Sequence, residues 1–447
     1  MNERVHGLVR EVARDLLDEV TEDRGRHGPV FAEVLADTAP EDRTWDEAWR
    51  VARKGGTDYG DGILGRRLDP TEESRELDRD ADRKFSMPQQ KQLALNGEIP
   101  PVHYALKVMR EFGMQQLRER AEQHGIDVAS SRGGKRKTAV EMGTLVTAHS
   151  PLATKSDLLR WEQSIATGFS LIDLAETGFR FRRELRGRNE ANTSRNSKAR
   201  EVTAGPFGKA ASLLHRVNPD LRSSAITAWS ERTVRFAANL LLMDPDHPLL
   251  ATALFTGGGL GDGLDGRHAE LTGQVSRQGM EDDIRADLRQ QTDVFQALAR
   301  TAYRRGNMVA ASNYALAEML TPLSAYYRAE AESQGMIVAE GGMGTRVWTA
   351  ILAGAGMQFN RHQDISDILS GMIVAAKVNT IEERRDVIKH GEASDYCLGV
   401  KEEYRERFME DAQVRRGVIE PYAKHGLAVG TILLARSGFP LVMHEAA

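Results

Sequence analysis

Apolar residues recur at helical spacing along most of this 447-residue chain. Val5, Leu8, Val12, Leu16 and Val20 fall three or four apart, one apolar stripe of a helix. That helix either packs on its own domain or acts as an arm on a neighbouring subunit. From residue 24 to 101 apolar residues thin out. The segment 57–64 (TDYGDGIL) is rich in Gly and Asp, and 66–84 carries the acidic run Glu72, Glu73, Glu76, Asp78, Asp80 and Asp82. This reads as a loop-rich region around short helices, its charges a solvated face.

Helical spacing returns over 102–124 through Leu106, Met109, Phe112 and Leu117, with Gly125 as the stop. A surface loop, SSRGGKRKT at 130–138, follows. The next helix, 158–179, runs into a basic stretch in which Gly187 is the stop and 189–197 a loop. Beyond Pro206 apolar residues are denser. Helices are expected at 209–216, 221–243, 281–305, 309–334, 345–356, 365–378, 401–417 and 419–435, broken at 244–248 and at the glycine-rich 257–266. No strand-like alternation and no internal repeat of fixed period emerges. The fold class is mainly α: two helical lobes with a basic, loop-rich segment between them, minor β being admissible. The regions are 1–101 (N-terminal arm and acidic loops), 102–205 (helical lobe ending in the basic segment) and 206–447 (C-terminal helical lobe).

Composition agrees with a folded chain, 40% hydrophobic and 28% charged. The single cysteine, Cys397, excludes an intramolecular disulfide and a cysteine zinc cage, and points to a reducing, intracellular setting. No apolar run of about 18 residues is present, so no membrane span or membrane partner is expected. The first residues lack a secretory pattern.

Charge changes the picture more. Residues 1–100 hold 16 basic and 23 acidic residues, a net −7; residues 101–210 hold 19 and 12, a net +7. The stretch 179–200 concentrates Arg180, Arg182, Arg183, Arg186, Arg188, Arg195, Lys198 and Arg200 against Glu184 and Glu190. Guanidinium forks grip phosphate by paired hydrogen bonds without reading bases. Phe179 and Phe181, interleaved with the arginines, either stack on bases or anchor the preceding helix. Lys135, Arg136 and Lys137 would form the other bank of a groove. The competing account is a solvated segment paired with acidic neighbours.

Catalytic signatures fail one by one. Gly261–Gly266 matches GxGxxG, but no second strand precedes the following acids. Pro206–Lys209 has Thr203 and Ala210 where a phosphate loop needs Gly and Ser or Thr. No HExxH and no GxSxG occurs. Asp282, Asp283 and Asp287 open a helix as DDxxxD, a spacing that holds magnesium in diphosphate enzymes, though a helix N-terminus favours acids in any case. The expectation is a non-enzymatic RNA-coating protein, a viral nucleoprotein or capsid protein of the virion or host cytoplasm. It would bind RNA rather than DNA, self-associate, and use no cofactor, metal or catalytic residue. The alternative is a helical magnesium-dependent diphosphate lyase or transferase using the Asp-rich helix.

Overall fold

The structure is a computed structural model. It describes residues 43–46, 48–49, 51–52, 86–126, 132–154, 156–190, 205–274, 276–338, 346–390, 397–399 and 409–425. The chain divides into two compact units, Met1–Gly187 and Arg188–Ala447.

The first unit contains α1 (86–95), α2 (Pro101–Gln123), α3 (Arg132–Ala148) and α4 (Ser156–Glu190). Proline opens α2 at a position whose N–H has no intrahelical acceptor to lose. The turns after α1 and α2 reverse on Gly97 and Gly125, at φ 75° and 62°, where a side chain would be strained. One apolar cluster joins these helices through Leu93, Ile99, Tyr104, Val108, Leu145, Ala148 and Leu159.

The second unit contains α5 (Gly205–Val217), α6 (Ser223–Met243), α7 (Leu249–Thr272), α8 (Arg277–Arg304), α9 (Met308–Ser333), α10 (Arg346–Gln358), α11 (Gln363–His390) and α12 (409–425). Ser276 caps α8 by accepting from the Gly279 N–H, and Asn307 caps α9 by accepting from the Ala310 N–H. α6 packs on α7 and α8, and α9 on α8 and α11. Two short strands, β1 (Met336–Val338) and β2 (Cys397–Gly399), pair antiparallel with Ile337 opposite Leu398. The fold is mainly α. Among the described residues no helix is long and apolar enough to cross a membrane.

Three local expectations are corrected. The glycine-rich 257–266 is not a loop but the middle of α7. Its glycines let two helices approach: a Cβ on Gly258 would sit 2.6 Å from Val234 Cγ2, and one on Gly261 2.7 Å from Trp229. The segment 132–138 is the start of α3 rather than a surface loop. The helix carrying the basic stretch passes Gly187 and ends at Glu190. The N-terminal stripe, the 57–64 segment, the acidic run and 191–204 lie outside the described residues.

Candidate functional site: a buried ion cluster and a repeated acid pattern

The interior of the first unit concentrates charge. Along α2, Lys107, Arg110 and Glu111 share one face by their three- and four-residue spacing, and all three are buried. Lys137 and Glu141 face them from α3, and Ser170 and Asp173 from α4. The Lys107 ammonium donates to Ser86 Oγ at 2.9 Å and to Glu141 Oε2 at 3.0 Å. The Lys137 ammonium donates to Glu111 Oε1 at 2.8 Å and lies 3.7 Å from Glu141. Arg110 donates to Glu111 and to Asp173. Ser170 Oγ donates to Glu141 Oε1 at 3.3 Å.

Three cations thus meet three carboxylates, and the cluster is neutral as a whole. Burial draws the Lys107 ammonium below the ordinary lysine range, helped by Lys137 and opposed by Glu141 and Glu111. Burial works against the Arg110 guanidinium too, but Glu111 and Asp173 outweigh it and raise its pKa. Next to the cluster, His103 Nδ1 is 2.8 Å from Thr167 Oγ1, and Thr147 Oγ1 donates to Glu162 at 3.0 Å.

The second unit holds acids of a different kind. Asp265 on α7 is buried and accepts from Thr227 Oγ1 and from the Gly266 N–H, both at 2.6 Å. On α8, Asp283 and Asp287 lie one turn apart, each with Oδ1 buried. Asp282 is exposed and accepts from Gln278 and Arg285, so the DDxxxD triplet does not act as one face. Carboxylates are hard donors suited to the magnesium that accompanies a diphosphate. Among the described residues, however, no three His, Cys, Asp or Glu side chains converge to hold a metal ion. The described donors therefore do not fit a metal centre, and no chemical step is derived through one.

The predicted nucleic-acid residues fall on α4, on α3 and outside the described residues. Arg180 is half-buried and Arg182 exposed near the end of α4. Arg183, Arg186 and Arg188 continue the same helix, their side chains outside the described set, and Arg195, Lys198 and Arg200 lie beyond the described residues. Lys135 and Arg136 sit in the first turns of α3, Arg136 half-buried. Lys137 faces inward and is engaged by Glu111, so it is not one bank of an exposed groove.

The sequence model of CDP-alcohol phosphatidyltransferases matches this chain twice, over residues 24–171 and 225–375, and the chain belongs to that family. No curated protein and no solved structure matches it. The match overturns the expectation of a non-enzymatic, RNA-coating nucleoprotein or capsid protein and of RNA as partner. The family is one of transferases acting on CDP-alcohols, so the transferase alternative is the better one.

The double match reveals an internal repeat whose period is not fixed. Asp58-x-x-Asp61-Gly62 recurs as Asp262-x-x-Asp265-Gly266, 204 positions on. Ser74-x-x-x-Asp78-x-x-x-Asp82 recurs as Gly279-x-x-x-Asp283-x-x-x-Asp287, 205 positions on. Tyr104-Ala105-Leu106 recurs as Tyr314-Ala315-Leu316, 210 positions on. The two units repeat the local structure as well. Gly97 and Gly306 have φ 75° and 74°, and Gly125 and Gly335 have φ 62° and 82°. Tyr104 and Tyr314 are both buried. His103 and Asn313, one residue before them, each reach a hydroxyl on the following long helix, Thr167 and Ser370. The spacing between copies drifts from 204 to 210, which hides the repeat from a search for a fixed period. The paired DxxDG motifs were the signal available.

Proposed function

We propose that this protein transfers a phosphatidyl group from a CDP-alcohol to an acceptor hydroxyl. The acceptor oxygen forms a bond to the phosphorus that carries the lipid alcohol, the bond from that phosphorus to the bridging oxygen breaks, and CMP leaves. The hydroxyl proton passes to a base, a role open to the carboxylates of the repeated acid pattern. The reading rests on one observation above others: the family match extends over most of both units. The recurrence of the acid pattern in both matched segments supports it.

The test supplies purified protein with magnesium, CDP-diacylglycerol in mixed micelles and a panel of small alcohol and phosphate-alcohol acceptors. Release of CMP and formation of a phosphodiester lipid are followed together. Acceptor-dependent CMP release, lost at least about 100-fold in Asp61→Asn or in Asp265→Asn, is expected. Absence of CMP from every pairing, with folded protein, would remove the proposal.

A further inference from the structure

Register places the same group behind both acid patterns. Counted 205 positions on, as the aspartates are, Ser86 corresponds to Gln291 and Leu93 to Leu298, and both leucines are buried. Ser86 follows Asp82 by four positions, and Gln291 follows Asp287 by four, one helical turn of α8. Each of these two residues accepts a hydrogen bond from a buried lysine. The Lys107 ammonium donates to Ser86 Oγ at 2.9 Å, and the Lys377 ammonium to Gln291 Oε1 at 3.1 Å. Both lysines are 3% exposed.

The two lysines do not occupy equivalent positions. Lys107 lies on α2, whose counterpart by Tyr104 and Tyr314 is α9, and its own counterpart there is Ala317. Lys377 lies on α11, whose counterpart by the His103–Thr167 and Asn313–Ser370 contacts is α4. The second repeat thus lacks the lysine on one helix and supplies one from another, to the same target. Duplication alone would have copied the position. Packing alone would have favoured an apolar side chain, since a buried ammonium costs desolvation. What both repeats keep is a positive charge at this one place. A helical side chain lies over the turn N-terminal to its own Cα, so Gln291 extends toward the turn that carries Asp287 and brings the ammonium with it. Asp283 and Asp287 are like charges one turn apart, each with Oδ1 buried, and a nearby cation offsets their repulsion.

We infer that Lys107 and Lys377 are positioning residues of the two acid patterns: each fixes, through Ser86 or Gln291, the turn that carries the last aspartate and sets a buried positive charge behind it. The inference rests on the proposed transferase reading and deepens it. The charge offsets the repulsion within the carboxylate face that receives the acceptor's proton. Its loss therefore slows turnover and leaves donor binding largely intact.

The experiment measures CMP release by the whole protein with magnesium, CDP-diacylglycerol in mixed micelles and the acceptor that supports turnover, and separates kcat from KM. Asp61→Asn and Asp265→Asn show which acid pattern carries the turnover, and the lysine of that repeat is then changed. In the second repeat, Lys377→Gln keeps an N–H donor and removes the charge. Its kcat should fall at least about tenfold, with KM for the CDP-alcohol within about twofold of wild type. Lys377→Arg, which keeps the charge, should recover kcat to within about threefold. Gln291→Met withdraws the acceptor, serves if Lys377→Gln does not fold, and should lower kcat about fivefold at unchanged KM. In the first repeat, Lys107→Gln is combined with Glu141→Gln so that no carboxylate is stranded. The same split of kcat from KM is expected, with Lys107→Arg as the charge-keeping control. A wild-type kcat in a folded charge-removing variant, a loss confined to KM, or equal losses with Gln and Arg at the lysine position would overturn the inference, while CMP release by wild type kept the transferase reading intact. Wild type that releases no CMP ends both.

Discussion

The two repeats share their turns and their buried tyrosines but fill their interiors by different physics. In the Tyr-Ala-Leu register the first has Lys107, Arg110 and Glu111, all buried, and the second has Ala317 and Thr321, buried, with Leu320 half-buried. In the second repeat Thr321 Oγ1 and Thr380 Oγ1 donate to carbonyls of their own helices, Ala317 O and Ala376 O, and Asn313 reaches across to Ser370 Oγ without any charge. In the first the buried ions are satisfied across helices, by partners 21 to 63 positions away in sequence. A cross-helix ion network is stable only when complete, because removing one member strands another in a medium that solvates it poorly. The comparison teaches that identical backbone turns tolerate either interior, and that only one of the two interiors is fragile to single changes.

The sharpest way to break that comparison is to change one equivalent position in each repeat. Arg110→Met should destabilise the first unit by roughly 3–5 kcal/mol, since buried Asp173 and Glu111 both lose their ion pair with the guanidinium. Leu320→Met, at the matching position, should cost less than about 1.5 kcal/mol. Urea unfolding followed by circular dichroism measures both. Equal effects would mean the charged interior is no more brittle than the apolar one.

Next in size come the glycines. Gly258→Ala should cost about 1–3 kcal/mol, because the new Cβ meets Val234 at 2.6 Å and the Ser230 carbonyl at 3.2 Å. Gly259→Ala, one residue on, meets nothing within 4 Å and should stabilise α7 by roughly 0.5–1 kcal/mol. Gly97→Ala and Gly306→Ala find open space, so only the left-handed backbone opposes them, by about 1–2 kcal/mol each. Closely similar losses at the two sites, read from thermal melts, are what a true structural repeat requires.

Periodicity made much of the fold legible. The helices expected at 102–124 and 221–243 are found at Pro101–Gln123 and Ser223–Met243, because their apolar spacing and their glycine or proline limits point the same way. Composition misled where tertiary contact decides. Glycines at 257–266 mark flexibility in an isolated segment, but Gly258 and Gly261 are there to admit Val234 and Trp229. Lys135, Arg136 and Lys137 together mark a surface, but Glu111 on another helix draws Lys137 inside, a pairing 26 positions distant that no local window contains. The candidate site was hidden for the same reason: Asp58 and Asp61 look like turn residues until Asp262 and Asp265 repeat them.

The smallest predicted effect concerns pH, and it separates the repeats by chemistry rather than by packing. Burial raises the Glu162 pKa to about 7, with the Thr147 hydroxyl pulling the other way. Burial, aided by Arg160, lowers that of His103 to about 3. Counted from the first residue of α4 and of α11, Glu162 corresponds to Leu369, and His103 corresponds to Asn313, so the second repeat titrates at neither place. The signs oppose. Between pH 4.5 and 7 folded Glu162 keeps a proton that the unfolded chain has lost, so its contribution falls as pH rises. Between pH 6.5 and 3 the unfolded chain protonates His103 while the folded one does not, so its contribution falls as pH drops. Glu162→Gln should therefore gain stability relative to wild type on going from pH 5 to pH 8, by on the order of 1 kcal/mol once partial exposure is allowed for. His103→Asn, which imports the second repeat's residue, should gain relative to wild type from pH 7 to pH 4. Melts across that range, in which both differences ran in the same direction or stayed flat, would show that these two groups are not held as the buried interior of the first repeat holds them.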